Sequence, residues 1–152
     1  MNILKRLWTR LVYNRGIFQR YIGLRTRNPR NFGAAERAFS RVLHLNERHI
    51  NARVSRGVLR WRELDNWVGA ITDFTELLEQ VPTYYLALFY RGMAFYRAGD
   101  YYASAQDLAM FIRLDPDSRW AHHARIQLEG MYAILDDLPK LLAPPIEPAA
   151  SD

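Results

Sequence analysis

A period of about 34 residues constrains this chain more than any other feature. Shifting the segment that begins at Trp67 by 34 residues carries Trp67 onto Tyr101, Ala70 onto Ser104, Asp73 onto Asp107, Phe74 onto Leu108, Leu77 onto Phe111 and Pro82 onto Pro116. A shift of 35 the other way carries Trp67, Ala70 and Phe74 onto Phe32, Ala35 and Phe39, and Leu77-Leu78 onto Val42-Leu43. Glycines precede the three copies at Gly23, Gly57 and Gly92, the last two in Arg-Gly pairs. Around Gly99-Asp100, apolar residues at helical spacing lie on both sides of a turn signal, so each unit reads as two short helices. Such units bury their apolar faces only by stacking, which predicts an all-α array.

The third copy has Gly92 and Phe95 in its first helix, Gly99-Asp100-Tyr101 at the turn, and Ser104, Leu108 and Asp115-Pro116 in and after its second. This pattern resembles the tetratricopeptide repeat: a small residue midway along helix A, an aromatic at the start of helix B, then Ala, an aromatic and a closing Pro. Ser104 and Leu108 depart from it, standing where Ala and an aromatic are usual. The resemblance covers roughly residues 17 to 118. It implies a right-handed helical-hairpin solenoid of three repeats. In physical terms, Gly92 and Ala94 let helices A and B approach, Phe95 and Leu108 fill the space between them, and Pro116 cannot continue helix B. Gly57 and Trp67 are ten residues apart, whereas Gly23–Phe32 and Gly92–Tyr101 are nine apart, so a longer A–B turn is expected at 62–66. In the first copy, Pro29 is expected to end helix A early.

Three segments follow. Residues 1–15 read as a basic amphipathic helix, with Ile3, Leu4, Leu7, Trp8, Leu11 and Val12 at helical spacing and Lys5, Arg6 and Arg10 beside them. Residues 16–135 form the repeat domain with a capping helix over about 117–135, because a repeat array exposes the apolar face of its last unit. Asp117 or Ser118 is the expected N-cap. Residues 136–152, with four prolines from Pro139 on, read as a Pro-rich tail whose end is disordered.

Charge divides the chain. Residues 1–62 hold 15 Lys+Arg against Glu36 and Glu47, a net of +13, and residues 63–152 hold 6 against 14, a net of −8. The first half therefore faces an anionic partner, or the halves neutralise each other within the fold or between copies. Trp, Tyr and Phe number 4, 9 and 7, which favours a packed core over disorder. There is no cysteine, so disulfides and thiolate zinc sites are excluded. The longest uncharged internal run, 80–90, falls well short of the roughly 20 residues of a membrane-spanning helix. The start is broken by charge, unlike a signal peptide, which points to the cytosol.

No catalytic or metal-binding arrangement emerges, and no cofactor is implied. His44 and His49 diverge on a helix, as do His122 and His123, and no phosphate loop or nucleophile elbow is present. The expected function is that of a non-catalytic scaffold, adaptor or assembly subunit. The resemblance implies that helices A line a concave face holding a peptide or helix of a partner protein. It places Val54, Val58, Trp61 and Arg62 there from the second copy, and Leu86, Phe89, Met93, Tyr96 and Arg97 from the third. Family members that clamp the C-terminal carboxylate of heat-shock chaperones use Lys and Asn at several of these positions. Val54, Val58, Phe89 and Met93 stand there instead, which argues against such a clamp.

A second reading concerns the residues Leu4, Lys5, Arg6, Leu7, Trp8, Arg10 and Leu11. As an interfacial helix they would dock on an anionic membrane surface at the cytoplasmic face, making the chain a peripheral protein that braces a membrane complex. Packed on the first repeat, the same stripe would instead be an N-terminal cap, and docked on a membrane protein or larger assembly it would be a contact element. Nucleic acid ranks below these partners, because arginine outnumbers lysine 19 to 2 without any nucleic-acid-reading motif.

Overall fold

The computed structural model describes residues 2–131, and these form seven helices without a strand. They are α1 (Ile3–Thr26), α2 (Pro29–Leu45), α3 (Ile50–Arg62), α4 (Trp67–Gln80), α5 (Leu86–Ala98), α6 (Tyr101–Leu114) and α7 (Arg119–Met131). Each packs on the next, giving hairpins α1–α2, α3–α4 and α5–α6 with α7 closing the end. The A helices α1, α3 and α5 also touch one another in sequence, while the B helices α2, α4 and α6 stay further apart. The A helices therefore line the inner curve of the stack.

Caps delimit these helices. Asn66 Oδ1 accepts from Gly69 N and Asp100 Oδ1 from Ala103 N, both at 3.0 Å, so α4 and α6 start where their side chains satisfy free N–H groups. His49 Nδ1 does the same for Ala52 N at 3.1 Å, and Ser118 Oγ for Ala121 N at 3.2 Å, which settles Ser118 as the cap of α7. Gly99 ends α5 at φ 86°, a conformation only glycine adopts freely. The second A–B turn is longer, as its spacing predicts: Glu63–Asn66 separate α3 from α4, with Asp65 at φ 49°.

The core runs along the hairpin seams. Phe39, Phe74 and Leu108, one per B helix, are fully buried, and each faces a glycine on its A helix. A Cβ on Gly57 would lie 2.8 Å from Phe74 Cζ, and one on Gly92 would lie 2.9 Å from Leu108 Cγ. In the first hairpin the residue facing Phe39 is Gly16, at 2.6 Å from Cε1.

This corrects the expected register. Gly23 does not share the place of Gly57 and Gly92; it faces Phe32 instead, in a turn of helix that the other hairpins lack. Arg15-Gly16 is the third Arg-Gly pair. Measured from Gly16, α1 runs ten residues to Thr26, whereas α5 runs six from Gly92 to Ala98, so Pro29 does not shorten helix A. It sits instead in the first turn of α2, where its missing N–H costs nothing, behind the Asn28 cap. The expected boundary at 15/16 falls inside α1, which is a single helix from Ile3 to Thr26. The helix expected to end near 135 is described to Met131, and the Pro-rich tail lies outside the described residues.

Candidate functional site

Aromatic side chains from α3, α5 and the closing helix α7 form a continuous row on the inner face. Trp61 of α3 lies 5.8 Å from Tyr90 of α5, ring centre to ring centre, and Tyr90 lies 6.0 Å from Trp120 of α7. All three are half-buried, so each shows one edge to solvent and rests the other on the core. Arg62 stacks over Trp61 at 5.8 Å and Arg119 over Trp120 at 4.7 Å, which puts cations at both ends of the row. Burial pushes the Tyr90 phenol above its ordinary range, against the pull of Arg62, Arg119 and Arg20. Tyr90 therefore stays neutral and offers its ring and hydroxyl rather than a charge.

Val54, Val58 and Trp61 are half-buried against the core around Phe74, and Leu86, Met93 and Tyr96 lie likewise against the core of the third hairpin. Arg97 is exposed, stacking on Trp67 at 5.4 Å and pairing with Asp65 at 3.2 Å. Arg62 is exposed beside Trp61. Phe89 does not belong to the surface: it is 3% exposed, with Trp120 at 5.1 Å and Phe111 at 5.6 Å, because α7 folds over it.

Residues 86–118 match the family model of the tetratricopeptide repeat. Among solved structures, the second such domain of human RPAP3, determined by NMR in complex with an HSP70 peptide, superimposes with a TM-score of 0.65 at 14% identity, covering 80% of this chain and 98% of that one. No curated protein matches the sequence. The fold is the tetratricopeptide-repeat solenoid. In these repeats the row Trp61–Tyr90–Trp120 occupies the inner face, the side on which the fold is concave.

Tyr90 and Trp120 escape sequence reasoning because they hold non-equivalent places in their repeats: Tyr90 precedes Gly92 by two residues, whereas Trp61 follows Gly57 by four. No shift of 34 brings them together. The available signal was Arg119-Trp120 in the first turn of the capping helix.

The basic start of α1 lies elsewhere. Ile3, Leu4, Leu7, Trp8 and Leu11 are exposed, Leu4 to 70%, alongside exposed Lys5, Arg6 and Arg10. Thr9, Val12, Tyr13 and Gly16 turn inward, while residues 3–8 and Leu11 project from the first repeat. Among the described residues no helix is long and apolar enough to cross a membrane, and no group of three or more His, Asp or Glu is placed to hold a metal ion.

Between the hairpins, arginines clip α3 and α5 each to two B helices. Arg56 Nε lies 3.1 Å from both Asp73 carboxylate oxygens, and its Nη1 donates to Ser40 Oγ at 3.1 Å. Arg91 repeats this with Asp107 at 2.7 and 2.8 Å and with Thr75 Oγ1 at 3.2 Å. Burial pushes the Asp107 carboxyl up, and the Arg91 guanidinium offsets part of that rise. These pairs are structural: they join neighbouring repeats and face away from the aromatic row.

Proposed function

We propose that the chain is a non-catalytic adaptor that holds an extended peptide or a helix of a partner protein across Trp61, Tyr90 and Trp120. The row itself carries this reading. Three half-buried aromatics on rigid helices offer large contact area at little entropic cost, which is how aromatic anchors come to dominate protein interfaces. Arg62 and Arg119 at its ends favour a partner with acidic residues flanking an apolar centre.

The RPAP3 domain, similar in fold, was solved with the HSP70 peptide SGPTIEEVD. A peptide partner for the present chain draws on that likeness, but its chemistry differs. Val54, Val58 and Met93 make the groove apolar where a carboxylate clamp needs polar donors, so recognition rests on the partner's side chains rather than on its terminus.

Selection of a displayed random-peptide library on the full chain tests this. Peptides with an aromatic or aliphatic centre and acidic flanks are expected to be enriched, and the Arg62→Glu, Arg119→Glu double variant, altered only at exposed positions, is expected to lose them while melting as the wild type does. SGPTIEEVD is expected not to compete. Enrichment that survives both charge reversal and Trp61→Ala would place binding elsewhere and overturn the reading.

A further inference from the structure

The first hairpin exposes the face that the later hairpins bury against their predecessors. With Gly16, Gly57 and Gly92 in register, Leu11 stands where Ala52 and Ala87 stand. Both alanines are 0% exposed beneath the preceding B helix, and Leu11 is 63% exposed. Arg15 likewise stands with Arg56 and Arg91, each of which holds a carboxylate from its own B helix and a hydroxyl from the one before. Arg15 has neither: Ala38 replaces the aspartate, and no described helix lies where α2 lies against α3. Glu76, the partner of Arg53, is replaced at the equivalent place by Arg41.

These exchanges invert the charge of the site and leave a cavity of about 370 Å³ between α1 and α2. Its apolar lining comes from Trp8, Leu11, Val12 and Ala38, and its cations from Arg15 on one wall and Arg37 and Arg41 on the other. None of the three arginines has a hydrogen-bond or carboxylate partner among the described residues.

We propose that this pocket docks an acidic amphipathic helix of a partner protein, placed as a preceding B helix would be. A carboxylate of the partner reaches Arg15 from the side on which Ser40 and Thr75 reach Arg56 and Arg91, and its apolar side covers Trp8 and Leu11. Inside the array, every surface of this kind is covered by a helix. The convergence of arginines from two walls onto one cavity suits a projecting carboxylate better than the flat plane of lipid headgroups, which would meet Leu4 and Leu7 without needing Arg37 or Arg41.

The test uses a peptide of residues 67–80, the α4 sequence, which stacks on α5 in the array and carries Asp73, Glu76 and Glu79 with no basic residue. It is acetylated, amidated and hydrocarbon-stapled between positions 68 and 72, both exposed in α4, because isolated helices this short are marginal in water. Titrated into the isotope-labelled full chain, it is expected to shift resonances of α1 and α2 only. Affinity is expected to fall about tenfold or more with Arg15→Gln, and equally when the peptide's acids are replaced by amides, since hydrogen bonds to charged groups contribute on that scale. Arg62→Glu, on the inner face, is expected to leave affinity unchanged. The proposal is overturned if the peptide shifts nothing, if the amide peptide binds as well, or if the shifts fall on α3, α5 and α7. Flotation of the chain with phosphatidylserine vesicles without peptide binding would assign the face to a membrane, and self-association abolished by Arg15→Gln would assign it to a second copy; either result excludes the partner helix.

Discussion

In the third hairpin, Arg91 spans Asp107 on its own B helix and Thr75 on the one before; in the first, the equivalent Arg15 faces Ala38 and solvent. The residue type is the same and the backbone position is the same, so the difference lies entirely in the neighbours. Inside the array, a guanidinium with a carboxylate on one side and a hydroxyl on the other joins two repeats and is mostly buried. At the array's end the same guanidinium is a free cation in a pocket. Whether an arginine in a repeat protein is structural or functional thus depends on the stacking around it, and the first and third hairpins illustrate both cases.

The sharpest way to break this comparison is to remove the internal carboxylate. Asp73 is fully buried and holds both Arg56 and Arg60, so Asp73→Asn leaves the mostly buried Arg56 uncompensated and Arg60 with Glu36 alone. A loss of about 3–5 kcal/mol in urea unfolding is expected, the scale for breaking a buried pair. Arg15→Gln is expected to change stability by less than about 0.5 kcal/mol, as surface substitutions do. Similar losses from the two would mean that Arg15 has a structural role after all.

The glycines sharpen the comparison within the first hairpin. Gly16→Leu drives a side chain into Phe39, which is fully buried and has no room to move, and about 1–3 kcal/mol of overpacking is expected in the melting transition. Gly23→Leu meets Phe32, which is only half-buried and can swing outward. Its cost should be clearly smaller, because the displaced ring relieves the overlap, while the roughly 1 kcal/mol gained when a helical glycine is replaced is common to both sites. Equal costs would show that the extra turn is packed as tightly as the repeat itself.

The smallest effect comes from restoring the missing acid. Ala38→Asp gives Arg15 the partner that Arg56 and Arg91 have, and because Arg15 is exposed the gain should stay within about 1 kcal/mol. A double-mutant cycle with Arg15→Gln isolates it. A coupling energy near zero would mean that the two residues do not meet, and that the equivalence of the hairpins stops short of this contact.

The B helices were legible residue by residue, because Phe32, Ala35 and Phe39 align with Trp67, Ala70 and Phe74 on a fully apolar stripe. Helix A of the first repeat was not. Gly16 and Gly23 lie seven residues apart, two turns along the same helix face, so either can seat a phenylalanine and hydrophobic spacing does not choose between them. The Arg-Gly doublet at Arg15 carried the answer. In the candidate site, Trp61, Leu86 and Met93 are half-buried, whereas Phe89, read as surface, is buried, and Tyr90 was not named. Adjacent residues on a helix differ by about 100° in direction, and which of the two aromatics turned inward depended on where α7 came to rest.

By itself, then, the sequence determined the all-α repeat, its turns and caps, the partition of charge and the absence of thiol chemistry, since these follow from periodicity, local hydrogen bonding and composition. The tertiary structure alone decided that residues 3–26 are one helix, that Gly16 rather than Gly23 meets Phe39, that Trp61, Tyr90 and Trp120 share a face, and that Arg15, Arg37 and Arg41 surround one cavity. Those facts depend on how whole helices cross and stack. A pattern of apolar residues records which groups avoid water, and many arrangements of neighbours satisfy it; the choice among them is made by the close packing of all the side chains together.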